Sequence, residues 1–456
     1  MKRQRSKVFF MAVAGICAFI LFTQTGFVRA DEKDETINTL LDRISNLERK
    51  VDEMNKKMEI NKSVETASFS EEVVQKKVEK ILMEKEEKEG GLLKAVKDIN
   101  VSGFVDTSYT NNLQNPDTSS ATSGGGANVA RVFDTEANNF NVRAAEVVLE
   151  KLPPDEGGAG FRTDLYFGSD AEVITPNGSA RDQFDLEQAY IQLKPNGFNL
   201  PIGNWQWLKL GKFVTMHGSE VIEAKDNWNF SRGLLFGYAI PFTHTGIRAG
   251  YQLTDSLAGY LGVNNGWDSV KDNNRGKSLE ASLGWTASDK LSFCLAGMYG
   301  PEQATNNHSQ RGLIDFVTTY KLHPKWTFML NADYAHEEDG VTAGKDAAWS
   351  GVAAYLKYDL SDKISLVNRT EFFSDPQGLR LTAGNPQDIW ETTFTFEVRP
   401  YKNLITRLEY RYDESSSNIF SPHTPPKSGD HQDTIALQAI YAFYDKANRV
   451  ITKKPS

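Results

Sequence analysis

Ionisable and aromatic residues cluster in one long connection of this chain, Thr215–Phe242. Trp228 and Phe230 provide bulk that could pack the connection against a wall. When acidic and basic groups face one another across a narrow opening, they create a transverse field that orders water and orients dipolar solutes. The ionisable residues that would supply this field are His217, Glu220, Glu223, Lys225, Asp226 and Arg232.

Arginines elsewhere in the chain could form the facing wall, because a guanidinium stays charged and holds its donors in a planar fork. The residues predicted for this wall are Arg162, Arg369, Arg399, Arg407 and Arg411, together with Glu391, Glu397 and Glu409. A second interpretation remains open. The connection could be an external lid, and the arginines could simply pair with Glu371, Glu397 and Glu409.

Metal binding and catalysis have weaker support. Four residues could be assembled into a metal site, but their spacing matches no tight ligand set: His217, Glu220, Glu223 and His244. Ser219 follows His217 closely, yet no G-x-S-x-G turn surrounds it. We therefore expect no enzymatic activity, no cofactor and no metal site. Cys294 lies between the apolar residues that form one face of its segment and so points to the other face. It is predicted to be an inert small residue.

The elements that would position these residues are β-strands whose successive side chains point to opposite faces. In Thr434–Phe443, Ile435, Leu437 and Tyr441 fall on one face and Gln438 on the other. Strict period two over about ten residues, ending in aromatics, is typical of a strand that crosses lipid at a tilt. Because unpaired backbone groups are costly in lipid, such strands must close into a barrel.

Sixteen such segments can be counted from Ile99 onward. Their connections alternate between short turns, such as Ser288-Asp289-Lys290, and long loops, such as Asn111–Asn139 and Glu337–Ala348. Sorting by length in this way is typical of bacterial barrels, which have short periplasmic turns, long external loops and an even strand count. The fold class predicted is all-β, a 16-stranded antiparallel transmembrane β-barrel that follows an α-helical coiled-coil segment.

The alternation also predicts which side chains face the lumen. Trp390, Phe394 and Phe396 should face lipid, which leaves Glu391 and Glu397 inside. Further carboxylates expected to make the inner wall polar are Asp106, Asp164 and Asp185. A barrel of about sixteen strands is too wide to be filled by side chains and leaves an aqueous channel.

The ends of the chain predict export and a stalk. Residues 1–30 are typical of a signal peptide, with a basic start, an apolar stretch from Val8 to Phe22 and the small-x-small site Val28-Arg29-Ala30. Their removal leaves 46 basic and 60 acidic residues, a net charge of −14, which argues against nucleic acid as a partner. Cys294 is then the only cysteine. Residues 31–98 are predicted to form a periplasmic helical stalk, 99–443 the barrel, and 444–456 a periplasmic tail.

The stalk carries a heptad pattern. Its a and d positions are Ile37, Leu40, Ile44, Leu47, Val51, Met54 and Met58. Charged residues between them favour a coiled coil over a globular helix. β-Branched residues at the a positions favour a two-stranded coiled coil, whereas the barrel architecture favours a homotrimer. A mean hydropathy of −0.46 excludes a polytopic helical membrane protein.

Residues 99–443 resemble bacterial outer-membrane porins of the OmpL-like β-barrel family. The resemblance is carried by V-S-G-F-V-D-T-S-Y, F-N-V-R-A-A-E-V-V-L-E-K and the long segment G-K-F-V-T-M-H-G-S-E through A-I-P-F-T-H-T-G. The stalk is similar to that of porins of the DcaP-like kind. The resemblance implies an outer-membrane channel for passive diffusion of small hydrophilic solutes and ions, narrowed by the connection after the fifth strand. Outer-membrane lipid would surround it. The alternative is a structural protein that tethers the envelope, with a stalk that binds peptidoglycan or another envelope layer.

Overall fold

The computed structural model describes residues 98–116, 128–195, 199–200, 203–381, 386–420 and 429–444. The predicted signal peptide, all of the predicted stalk except Asp98, and the predicted tail beyond Tyr444 lie outside these ranges. No helix in the described ranges is long and apolar enough to cross a membrane.

Sixteen long strands follow one another along the chain. Their bounds are β1 Asn100–Asn112, β2 Asn139–Lys151, β3 Gly158–Phe167, β4 Phe184–Lys194, β5 Gly203–Val214, β6 Thr243–Gln252, β7 Leu257–Asn264, β8 Ser278–Ser288, β9 Leu291–Pro301, β10 Gln310–His323, β11 Trp326–Thr342, β12 Lys345–Ser361, β13 Ile364–Asp375, β14 Gln387–Tyr401, β15 Leu404–Ser415 and β16 His431–Tyr444. A short helix α1, Ser169–Ile174, follows β3. The connection after β5 contains a 3₁₀ helix, Ala224–Asp226, and a π-helix, Leu235–Ala239.

The sheet closes on itself. It contains 17 strands, of which the two-residue strand Asn199–Leu200 pairs only with β5, so sixteen strands form the ring. β1 pairs antiparallel with both β2 and β16, and Phe104 aligns with Glu146 on one side and Ala442 on the other. The predicted 16-stranded antiparallel barrel is confirmed. Closure gives every strand two hydrogen-bonded neighbours, which lipid requires.

Side chains alternate between an apolar exterior and a polar interior. On the outside, Phe140 is 82% exposed, Leu261 59% and Ile314 58%, the reverse of what apolar residues show in a water-soluble domain. In β14, Trp390 and Phe394 point outward, while Glu391 and its inward neighbours are buried. The facing predicted for this strand is therefore confirmed.

One predicted loop is largely strand. The connection expected over Glu337–Ala348 is reduced to Ala343 and Gly344, because β11 and β12 continue as a paired hairpin as far as Thr342 and Lys345. Gly344 takes a positive φ of 75° in this tight turn. The prediction was wrong here because a hairpin can continue beyond the membrane without an apolar face to mark it.

Candidate functional site

The connection Thr215–Phe242, called the inner loop below, folds into the lumen instead of capping the barrel from outside. Its two ends meet where the Thr215 N–H donates to the Phe242 carbonyl oxygen over 2.8 Å. Beyond this closure, the Gly218 N–H donates to Asp315 Oδ2 on β10 and the Ser219 N–H to Asn331 Oδ1 on β11, both over 3.0 Å. These wall residues are buried and face inward. The inner loop therefore starts by running along the inner face of the wall.

A buried arginine on β13 holds the middle of the inner loop. Arg369 Nη1 donates to Glu220 Oε1 over 2.7 Å and to the Ser231 carbonyl oxygen over 2.6 Å. Its Nε donates to Glu391 over 2.7 Å, and its Nη2 donates to Thr393 Oγ1 over 3.3 Å. The fork thus joins two parts of the inner loop to two positions of the wall. A guanidinium suits this task because it keeps its charge when buried.

Two arginines on β15 bind carbonyl groups of the inner loop. Arg407 donates to the Ala224 oxygen over 3.0 Å and to the Asn227 oxygen over 2.5 Å, while its Nε is paired with Glu397 over 2.9 Å. Arg411 donates to the Arg232 carbonyl oxygen over 2.7 Å. Three of the predicted wall arginines therefore touch the inner loop and do not face it across an opening.

Wall carboxylates accept hydrogen bonds from backbone N–H groups of the inner loop, in place of the carbonyl groups that a strand or helix would provide. Glu409 accepts from the Phe230 N–H over 2.6 Å and the Ser231 N–H over 2.9 Å. Glu371 accepts from the Leu234 N–H. A Cβ atom at Gly233 would collide with the Glu371 carboxylate, so a larger residue at this position would have to displace that side chain. Irregular backbone inside the barrel is thus paired, as burial demands.

Aromatic side chains complete the packing of the inner loop. Trp228 meets Tyr355 of β12 edge to face, with ring centroids 6.3 Å apart. The indole N–H of Trp349 donates to the Ala239 carbonyl oxygen over 3.1 Å. These contacts give Trp228 the packing role that the sequence predicts for it.

Glu223 of the inner loop reaches the wall formed by β2, β3 and β4. One oxygen of Glu223 lies within 4.8 Å of carboxylate oxygens of Glu146 on β2, Asp164 on β3 and Glu187 on β4. Burial raises the pKa of Glu223. Lys225 pairs with Asp226 over 2.5 Å, and the Asp226 side chain is 56% exposed. The inner loop therefore contacts opposite sides of the ring, at β10, where Gly218 is bound, and at β2, eight strands away.

The remaining predicted residues have different surroundings. The His217 ring is buried and lies 3.0 Å from Thr215 Oγ1, and burial lowers its pKa to about 3, so it is neutral near pH 7. Arg232 donates to the carbonyl oxygens of Val221, Phe230 and Ile222 within the loop itself. Arg162 pairs with Asp164 over 2.9 Å. Arg399 pairs with Glu397 over 2.7 Å, and its side chain is 44% exposed.

The structure adds residues that the sequence analysis did not single out for this site. Asn331 and Asp315 bind the backbone of the inner loop, as does Glu371, which the sequence analysis named only as a possible partner of the arginines. Glu146 and Glu187 meet Glu223. Period-two alternation could have placed the first three in the lumen. It does not say that the loop touches them, because their contacts join residues about a hundred positions apart.

A closed barrel with a polar interior, an apolar exterior and a loop bound inside defines an outer-membrane β-barrel channel. The chain belongs to the family described as "Putative beta-barrel porin-2, OmpL-like", which it matches over residues 98–443. It is therefore an outer-membrane porin that allows passive diffusion of solutes, as the resemblance predicts. No curated protein matches the chain.

Solved structures share the fold at low sequence identity. An anion-selective porin from Comamonas acidovorans is 11% identical with a TM-score of 0.52, over 76% of this chain and 99% of that chain. Pseudomonas putida OprB at high pH is 12% identical with a TM-score of 0.50, over 78% and 97%. The outer membrane channel DcaP of Acinetobacter baumannii is 15% identical with a TM-score of 0.49, over 76% and 97%.

Proposed function

We propose that the inner loop forms the constriction of this porin and selects which solutes pass. The observation that supports this is the attachment of the loop on two opposite walls, at Asp315 on β10 and beside Glu146 on β2, which lie eight strands apart in the ring of sixteen. A segment that crosses the lumen takes up part of its cross-section. Its contacts on both walls keep it from swinging out with the external loops.

The predicted constriction residues divide into two groups in this proposal. Glu220 and Arg232 are buried and hold the loop in place, and neutral His217 adds no charge to the opening. Lys225 and Asp226 remain partly open to the lumen, with Arg162 on the neighbouring wall. Solutes would therefore meet Lys225, Asp226 and Arg162. The predicted wall residues Arg369, Arg407 and Arg411, with Glu391, Glu397 and Glu409, would support the constriction from behind.

Cysteine accessibility tests the constriction directly. In a background with Cys294→Ala, we would introduce Asp226→Cys, refold residues 31–456 and record current in a planar bilayer. A charged methanethiosulfonate reagent should reduce the single-channel current of the Asp226→Cys protein. Asp289→Cys, in a two-residue turn between β8 and β9, is the matched control and should keep its current. An equal response of both variants would overturn the proposal.

Assembly and surroundings are part of the same proposal. The outward apolar side chains, such as Phe140 and Leu261, would contact outer-membrane lipid. We propose a homotrimer because large-pore barrels commonly assemble in threes, and crosslinking of the refolded protein should give a trimer band. The absence of an enzymatic activity stays a prediction. No observation on the described residues favours tethering to peptidoglycan through the stalk.

A further inference from the structure

Four carboxylates from three strands and the inner loop converge at one place in the lumen. One oxygen from each of Glu146, Asp164, Glu187 and Glu223 lies within 4.8 Å of the others. The three wall residues are almost completely buried, with exposures of 1%, 0% and 0%, and Glu223 is half-buried. Like charges this close repel strongly away from bulk water. The protein must offset this repulsion in some way.

Two of these acids have no partner for their oxygens. Within the described part of the chain, neither carboxylate oxygen of Glu146 or of Glu187 accepts a hydrogen bond. Asp164 differs, since it accepts from Arg162 over 2.9 Å and from Gln188 over 2.5 Å. Buried polar atoms are almost always paired, and each exception calls for an explanation such as a bound ion. Two buried acids with unpaired oxygens, both part of one acidic cluster, indicate a cationic ligand.

The backbone of β4 is bent to bring Glu187 into the cluster. Asp164 pairs with Gln188 and Leu165 with Leu186, so Glu187 is the extra residue of a β-bulge. Because of the bulge, Glu187 and Gln188 are both buried although they are consecutive in the strand. Regular alternation would have sent one of them into lipid. Bulges that aim a side chain in this way are frequent next to functional sites.

The charge of the cluster matches a divalent cation. Arg162 donates to Asp164, and Lys225 interacts electrostatically with Glu146 and Glu223. Even when both cations are counted fully, the four carboxylates keep at least two negative charges. One divalent ion would neutralise them.

The ligand type and the spacing favour calcium among the divalent ions. Oxygen ligands alone suit hard cations rather than zinc, which prefers nitrogen and sulfur. Magnesium keeps several of its waters and is rarely held by a cage of protein ligands alone, whereas calcium accepts protein oxygens at about 2.3–2.6 Å in a flexible geometry. The oxygens of the cluster, all within 4.8 Å of one another, are close enough to share such an ion.

We propose that Glu146, Asp164, Glu187 and Glu223 bind one Ca²⁺ ion, which fastens the inner loop to the wall formed by β2, β3 and β4. Of the four residues considered for a metal in the sequence analysis, only Glu223 belongs to this site, and His217, Glu220 and His244 do not. Binding of the ion would not depend on whether the inner loop is the constriction. Its consequence for the channel would be to hold Glu223 and the neighbouring Lys225 in fixed positions.

Calorimetric titration of the refolded mature protein with CaCl₂, after removal of bound ions by a chelator, tests the site. We expect one Ca²⁺ per chain near neutral pH, and binding at least about tenfold weaker in Glu187→Gln and in Glu146→Gln. Asp333→Asn is the matched control, because Asp333 is also a buried lumenal carboxylate with an unpartnered oxygen but lies beside Asp315, outside the cluster. The control should bind Ca²⁺ like the original protein.

Folding of each variant is checked by the heat-dependent shift in gel mobility that intact barrels show. If the strand variants fail to fold, Glu223→Gln on the inner loop provides the same test without changing a strand. Absence of saturable Ca²⁺ binding by the original protein would overturn the proposal, and so would unchanged affinity in folded Glu187→Gln or Glu223→Gln. The first result would indicate that the acids share protons instead.

Discussion

The inner loop contacts the wall at β13 and β15 and again at β2, β3 and β4, and the two contacts are built differently. On β13 and β15, every side-chain nitrogen of Arg369 and Arg407 has a hydrogen-bond partner in the wall or the loop. On β2 and β4, Glu146 and Glu187 have none for their oxygens. The first contact is complete within the protein. The second contact requires an ion or protons from outside, so it is the one that solution conditions can change.

The largest effect is expected from breaking the complete contact. Arg369→Ala would leave Glu220 and Glu391 buried without their main cation, and removing one partner of a buried pair typically costs about 3–5 kcal/mol. The free energy of unfolding, measured by urea titration of the barrel in vesicles, should fall by about that amount. Arg399→Ala is the matched control, and because its side chain is 44% exposed the loss should stay below about 1 kcal/mol. Equal losses of free energy of unfolding in Arg369→Ala and Arg399→Ala would contradict the importance given to the contact at Arg369.

At the four-carboxylate cluster, a substitution should raise the free energy of unfolding and not lower it when no divalent ion is present. In chelator, Glu187→Gln removes one of four neighbouring like charges and should raise the free energy of unfolding by about 1 kcal/mol or more. The same change at Glu409, which accepts two N–H groups of the inner loop, should lower it. A loss of stability for both variants in chelator would show that the two contacts do not differ in kind.

The pH dependence of stability sharpens the comparison further. Burial raises the pKa of Glu223 above its ordinary value of 4.5, so the ionised form opposes folding at neutral pH. This cost disappears as the pH falls through the raised pKa. In chelator, the deficit in free energy of unfolding of the original protein relative to Glu223→Gln should therefore shrink as the pH is lowered from 7 towards about 4.5. A deficit that grows over this range would contradict the assignment.

The smallest effect on stability, but a clear one on selectivity, is expected at the exposed residue Asp226. Asp226→Lys should shift the reversal potential in a salt gradient towards anion preference, because it reverses a charge on a side chain that is 56% exposed. Lys363→Glu, in the turn between β12 and β13, is the control and should leave the reversal potential nearly unchanged. A shift of equal size in both variants would place the selectivity outside the inner loop.

Much of the barrel could be predicted from the sequence because period-two alternation is a local property. The facing of Glu391 and Trp390, and the count of sixteen strands, depend on residues that are neighbours in the chain. The contacts of the site are not local. Glu220 meets Arg369 across 149 positions, and no periodicity specifies which lumenal arginine a loop will reach.

The acidic cluster was missed for the same reason. Alternation extended through β4 already puts Glu187 on the same face as Asp185, and the bulge adds Gln188 to the inward side chains. Alternation does not specify which lumenal acids of separate strands meet a residue of the inner loop. The sequence analysis accordingly placed Asp164 in the lumen but did not bring it together with Glu146, Glu187 and Glu223.

The central claim is that the inner loop crosses the lumen and narrows it. The most direct test is the single-channel conductance of refolded residues 31–456 compared with a variant in which residues 219–238 are replaced by a short Gly-Ser linker. A matched control shortens residues 302–309, the connection between β9 and β10. A clearly larger conductance in the first variant alone is the predicted result. Equal conductance in the original protein and in the folded loop variant would contradict the account.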